Sequence, residues 1–233
     1  MRQPRTVIPD DVLGPLNEFE LKAAPRKLFL RGDASLLEDG PRIAVVGSRR
    51  ASSEGLELAR RITEMLVSHG VTVVSGLALG IDTVAHETAM TNGGRTVGVL
   101  GTSLDQYAVP RNRNLQDAIG ERHLLVSQFQ AGQPTHRSNF PLRNKTMALL
   151  SDATLIVEAA TKSGTRHQGW EAIRLGRPVL FPKRSLARQS PGWADEMIRY
   201  GAFSFDARTL PLVLDDLPSR CVGSAARADD LPF

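Results

Sequence analysis

The chain has 233 residues, enough for one large domain at roughly 100–200 residues per domain, and its 41% hydrophobic content excludes a disordered chain. The single cysteine, Cys221, excludes an internal disulfide and fits a reducing cytoplasm; no apolar run approaches the ~20 residues that cross a bilayer, and the start MRQPRTVIPDD lacks the apolar stretch of a secretory signal. A net charge of +4 permits an anionic partner without demanding one, so where the charges sit matters more than their sum. Residues 1–40 read as a lead-in with turn signals at Gly32-Asp33 and Asp39-Gly40. Six short runs rich in Val, Ile and Leu follow: Arg42–Gly47, Val71–Ser75, Thr96–Leu100, Leu124–Ser127, Thr154–Val157 and Pro178–Phe181. They lack a polar alternation, as strands covered on both faces do. Amphipathic stretches separate them and predict helices over Glu54–His69, Asp82–Thr91, Asn112–Ile119, Arg143–Leu150 and His167–Leu175, with one more over Pro191–Tyr200. Residues 41–218 are therefore expected to form one doubly wound α/β core with a mainly parallel sheet, and 219–233 a flexible tail.

An open parallel sheet binds ligands outside the carboxyl ends of its strands. Glycines, hydroxyls and cations recur there. Gly47, Ser48 and Arg49 follow the first run; Ser75, Gly76 and Gly80 follow the second; Arg143, Asn144 and Lys145 close the long loop after the fourth; Lys162, Ser163 and Gly164 follow the fifth. Glycine admits close backbone approach, helix N-termini present free N–H groups, and Arg and Lys add full charge. The rim is predicted to bind phosphate-like anions at these positions. Gly164 to Gly169 has P-loop glycine spacing, but Trp170-Glu171 stands where Lys and Ser/Thr belong, which rejects a Walker-type ATPase. Gly76 to Gly80 is not a dinucleotide fingerprint, so no cofactor is expected. Asp82 and His86 are predicted as a helix N-cap and a hydrogen-bonded structural residue, and no metal site is expected. Glu158 is the one rim carboxylate to nominate for catalysis; acceptance of a hydroxyl is the favoured reading, and the protein is expected not to be an enzyme.

Ile43-Ala-Val-Val-Gly-Ser-Arg49 and Val74-Ser-Gly-Leu-Ala-Leu-Gly-Ile-Asp-Thr-Val-Ala-His86 resemble motifs of the DNA-processing protein A (DprA/Smf) family. Gly93–Gly101, Asn139-Phe-Pro-Leu-Arg-Asn-Lys145 and Leu155-Ile-Val-Glu-Ala159 with Ser163-Gly164 agree with it, over Pro25 to Phe181, without the helical and winged-helix segments that often flank the family's core. The resemblance implies an extended Rossmann-like fold that binds single-stranded DNA, often as a homodimer, and loads a RecA-type recombinase in DNA uptake. It implies phosphate contacts for Ser48 and Arg49, and places Arg143, Asn144 and Lys145 in the same pocket. Departures fall at Gln128, where the family usually has Glu, at His167–Trp170, and at Lys183. A reshaped pocket suits the alternative, a nucleotide-derivative sensor or nucleotide N-glycoside hydrolase on the same fold, with Trp170 stacking on a base or packed in the core.

Overall fold

The computed structural model describes residues 3–38, 40–159, 163–186 and 192–217. The expected flexible tail, Cys221 and Lys162 lie outside the described residues. Among the described residues the elements run β1 (Arg5–Val7), α1 (Asp10–Leu13), α2 (Glu18–Ala23), β2 (Leu28–Gly32), β3 (Arg42–Val46), α3 (Ser53–Ser68), β4 (Thr72–Ser75) and α4 (Ile81–Thr91). Then come β5 (Thr96–Leu100), α5 (Arg113–Arg122), β6 (Leu124–Ser127), α6 (Asn139–Leu149), β7 (Ala153–Ile156), α7 (Gly164–Arg174), β8 (Val179–Pro182), α8 (Lys183–Leu186), α9 (Trp193–Arg199), β9 (Phe203–Phe205) and α10 (Leu210–Asp215).

One sheet carries all nine strands in the order β1-β2-β6-β5-β4-β3-β7-β8-β9. From β6 to β9 every pairing is parallel; β1 and β2 add an antiparallel edge. The fold is the doubly wound α/β class expected from the strand–helix alternation. Its central strand shows why. Ile43 and Val45 pack with Ala59, Ile62 and Leu66 of α3 and Ile81 and Ala85 of α4. Ala44 and Val46 pack on the other face with Met147 and Ala148 of α6 and Ala172 of α7. A strand covered on both sides has no solvent face, so Ile43 to Val46 are all apolar, and each fully buried Ile or Val contributes about 1.5–3 kcal/mol of transfer free energy.

The lead-in is more than turns. β2 pairs along β6, with Leu30 opposite Val126. At the opposite ends of the core strands, Arg177 reaches Glu20 of α2 at 2.7 Å, and Arg42 and Asp152 form a fully buried pair at 3.4 Å. Arg42 also donates to the Leu37 carbonyl. These bonds hold the lead-in on the core. Two boundaries are corrected. α6 begins at Asn139, so the helix expected from Arg143 starts four residues earlier and takes in Phe140-Pro-Leu142, expected as loop. Pro141 lies in the first turn, where the N–H that proline lacks has no helical partner anyway. The N-cap of α4 is Gly80, and Asp82 lies inside the first turn.

Candidate anion-binding site

β3 sends the chain through β4, β5 and β6 on one side and receives β7 on the other. The loops after β3 and β7 therefore diverge at a topological switch point, where open sheets of this kind hold ligands. A cavity of about 610 Å³ lies there. Its walls are the Gly47–Arg50 loop, Ala78 and Asp82, the first two turns of α6, and the N-terminal turn of α7.

The Gly47–Arg50 loop is shaped by its own hydrogen bonds. The Ser48 N–H donates to the Glu158 carbonyl at 2.6 Å, and the Ser48 hydroxyl accepts from the Arg50 N–H at 3.1 Å. A Cβ on Gly47 would collide with Ile81, and one on Gly80 with the Ser48 carbonyl. Gly80 also has φ +82°, a region that favours glycine. These glycines let two chain segments touch. Arg49 is exposed, with its guanidinium 5.9 Å from the Phe140 ring centroid. Arg50, exposed beside it, also lines the cavity.

Arg143 has a different environment. Its Nη1 donates to the carbonyls of Gly76 at 2.6 Å and Val99 at 3.0 Å, and its Nε to Asn144 Oδ1 at 3.0 Å. It is buried, and burial lowers its pKa while Asp82 opposes the shift. The space that Gly76 leaves is filled by this guanidinium, so Gly76 makes room for Arg143 rather than for a ligand backbone. Asp82 accepts from the N–H groups of Gly76 at 3.2 Å and Ala78 at 3.3 Å, and burial raises its pKa against the pull of Arg143. Between those two amides Leu77 has φ +59°, the single non-glycine residue at positive φ among the described residues. A left-handed leucine costs on the order of 1–3 kcal/mol and persists where its surroundings over-determine it.

α7 points its N-terminus into the cavity. Ser163 caps it by accepting from the Thr165 N–H at 3.1 Å, Thr165 donates to the Gly47 carbonyl at 3.2 Å, and Asn144 Nδ2 donates to the Gly164 carbonyl at 3.2 Å. The free N–H groups and positive dipole end of the helix face any anion held there. Thus Gly47, Ser48, Arg49, Arg143, Asn144, Ser163 and Gly164 come together around one cavity. Ser75 does not join them: its buried hydroxyl donates to the Val45 carbonyl at 2.7 Å and ties β4 to β3. Lys145 is half-buried and absent from the lining. Glu158 turns its carboxylate away, accepting from the Ser52 hydroxyl at 2.6 Å and the Ser52 N–H at 3.0 Å, where it supports the cap of α3. It lines a separate cavity with Glu57, Arg61 and Arg184. Arg50, Ala78, Asp82 and His167 line the cavity as well, beyond the residues expected to bind there; His167 lies among the rim departures noted in the sequence, and the Arg49-Arg50 doublet was the available signal for Arg50.

The departures at the rim have local explanations. Gln128 accepts from the Thr146 hydroxyl. His167 faces the cavity and has Glu171 behind it, with Nε2 3.6 Å from the carboxylate. Gln168 is buried, with Nε2 3.4 Å from the Thr154 hydroxyl. Trp170 meets Tyr200 edge-on at 5.4 Å and packs against the core, away from the cavity. Lys183 pairs with Asp206 at 2.7 Å. His86 is a structural residue, its Nδ1 2.7 Å from the Thr96 hydroxyl, and burial pushes its pKa down to about 3. Among the described residues no helix is long and apolar enough to cross a membrane.

A doubly wound sheet with a glycine-, serine- and arginine-walled cavity at its switch point defines an extended Rossmann-like domain with a candidate anion site. The family described as DNA recombination-mediator protein A matches residues 6–210, and the chain belongs to that DNA-processing protein A family. The DNA processing protein DprA of Streptococcus pneumoniae is 36% identical over 188 residues, 81% of this chain and 66% of that protein. Its X-ray structure superposes with a TM-score of 0.78 at 32% identity, covering 92% of this chain and 75% of that one. Protein Smf of Synechocystis is 39% identical over 86% of this chain and 51% of its own length. The chain spans about half to two thirds of these curated relatives. A structure of DNA processing protein A from Helicobacter pylori, which describes that protein's single-stranded DNA binding mode, gives a TM-score of 0.78 at 25% identity over 93% of this chain and 98% of that one.

Proposed function

We propose that this chain binds single-stranded DNA through its phosphates at the switch-point cavity and catalyses no reaction on it. The observation that carries this reading is the pairing of Arg49, exposed at the cavity mouth, with the capped N-terminus of α7 opposite. One supplies a full charge and the other oriented N–H groups, the two elements of a phosphate seat. Aromatic residues are only 5% of the chain, so phosphate contacts outweigh base stacking in the cavity and sequence preference is weak. The relation to the Helicobacter pylori protein supports DNA as the polymer. The reading extends to a cytoplasmic homodimer that works in DNA uptake, recombination or phage defence and hands strands to a RecA-type recombinase.

A second reading, a pocket for a free nucleotide derivative, is favoured by one observation: about 610 Å³ lies within the size range of small-molecule sites. Titration of labelled (dT)20 at several salt concentrations, beside a panel of nucleotides, separates the two. DNA binding gives log affinity falling linearly with log salt at a slope of roughly −0.7 per phosphate neutralised, and Arg49→Ala weakens binding and flattens the slope without lowering the melting temperature. Tight binding of one nucleotide with no binding of (dT)20 at low salt establishes the second reading instead.

A further inference from the structure

A second group of exposed cations is tied to the wall of the cavity. Asn112, buried between the two exposed arginines Arg111 and Arg113, donates its Nδ2 to the Leu77 carbonyl at 3.0 Å and to the Thr83 hydroxyl at 2.9 Å. Leu77 precedes Ala78, which lines the cavity. The segment after β5 is thus fastened to the cavity wall, with an exposed Leu79 at the crest between them. β5 lies two positions from β3 in the sheet, so the loops that leave them are about 10 Å apart at ~4.8 Å per strand.

On that segment Arg113 lies over the half-buried Tyr107 ring, 4.9 Å from its centroid. The ring is held in place by its hydroxyl, which donates to Asp117 at 2.8 Å, and Asp117 takes Arg31 at 3.2 Å as well. Arg111 and Arg113 enter none of the ion pairs formed among the described residues. The loop after β6 joins them. Gln106 bonds it twice, donating to the Gln133 carbonyl at 3.1 Å and accepting from Thr135 at 2.6 Å, and it carries the exposed His136 and Arg137. A fixed aromatic ring flanked by cations without acidic partners is the composition of a single-strand stacking platform.

We propose that Tyr107, Arg111 and Arg113 form a second contact surface for single-stranded DNA, which takes the strand as it leaves the cavity across Leu79. This rests on the single-stranded DNA reading above. Arg111 and Arg113 hold phosphates, and a base stacks with the Tyr107–Arg113 pair. The test is fluorescence anisotropy with (dT)20 at several salt concentrations for the wild type, Arg111→Ala/Arg113→Ala, Tyr107→Phe and Tyr107→Ala, each with a thermal melt. The double arginine variant is expected to melt like the wild type and to lose roughly 1.4 from the magnitude of the salt slope, two phosphates at 0.7 each. Tyr107→Phe keeps the ring under Arg113 but loses its tether to Asp117, and binds more tightly than Tyr107→Ala. Tyr107→Ala weakens binding by roughly five- to a hundredfold, the range of a lost base–aromatic stack; if it unfolds, the arginine variant decides alone. Tight wild-type binding with an unchanged slope in the double arginine variant overturns this surface and leaves the cavity reading standing. Failure of the wild type to bind (dT)20 overturns both.

Discussion

Replacing Arg143 by alanine separates a structural cation from a ligand cation. Residue type and position suggest a phosphate contact, but the structure gives most of the guanidinium's donors to the protein: two carbonyls at 2.6 and 3.0 Å and the Asn144 amide oxygen at 3.0 Å. Hydrogen bonds to a charged group contribute about 1.5–3 kcal/mol each, so losing the two carbonyl bonds costs about 3–6 kcal/mol. Asp82 is then left buried without the nearest positive charge that favours its ionised form. For a chain of 233 residues each kcal/mol moves the melting temperature by roughly 2–4 °C, so Arg143→Ala is expected to melt at least ~6 °C below the wild type. Gly76→Ala is expected to behave alike, because its added Cβ would take the space of Arg143 Nη1. Thermal melts beside DNA titrations check this. An Arg143→Ala protein that melts with the wild type and loses binding as Arg49→Ala does would refute the argument and make Arg143 a ligand residue first.

His86 makes stability pH-dependent. Its folded pKa of about 3 lies below the ordinary 6.5, so between those values the unfolded chain binds a proton that the folded chain refuses, and stability falls as pH drops through that window. At about 1.4 kcal/mol per pH unit, urea unfolding at pH 7 and pH 5 should show a loss about 2 kcal/mol larger for the wild type than for His86→Asn, and equal losses would remove His86 as the cause. Glu158→Gln is expected to lower stability by about 1 kcal/mol through a weaker grip on Ser52, and the wild type should release no free base from nucleoside monophosphates. Free base made by the wild type and not by Glu158→Gln would convert the protein into a nucleotide hydrolase.

The parts of this fold that were readable from the sequence are those whose signal is local. Thr96–Leu100 and Leu124–Ser127 form strands with the bounds expected of them, since a short run made mostly of β-branched residues and leucine and covered on both faces has few alternatives. β2 was passed over because Leu28 and Leu30 alternate with partly exposed neighbours and its partner β6 lies far along the chain. β9 has three residues, too few to show a period. At the site the Gly-Ser-Arg turn was legible because glycine and charge adjoin in sequence. The seat of Arg143 on Gly76 was not, because it joins residues 67 positions apart that meet only once the sheet is assembled.

That separation also explains how the rim handles its charge. Arg143 is held by the protein's own carbonyls, and with Asp82 and Asn112 it fixes the Gly76–Gly80 loop, left-handed Leu77 included. Arg49, Arg50, Arg111 and Arg113 remain exposed on surfaces that this interior bracing holds in place. A ligand that meets a wall already rigid loses less free energy to ordering the loop, so each exposed cation contributes more of its attraction to binding. On the proposed reading the buried charge and the exposed charge are therefore one device: removing Arg143 should loosen the wall, and removing Arg49 should leave the wall intact with one contact fewer.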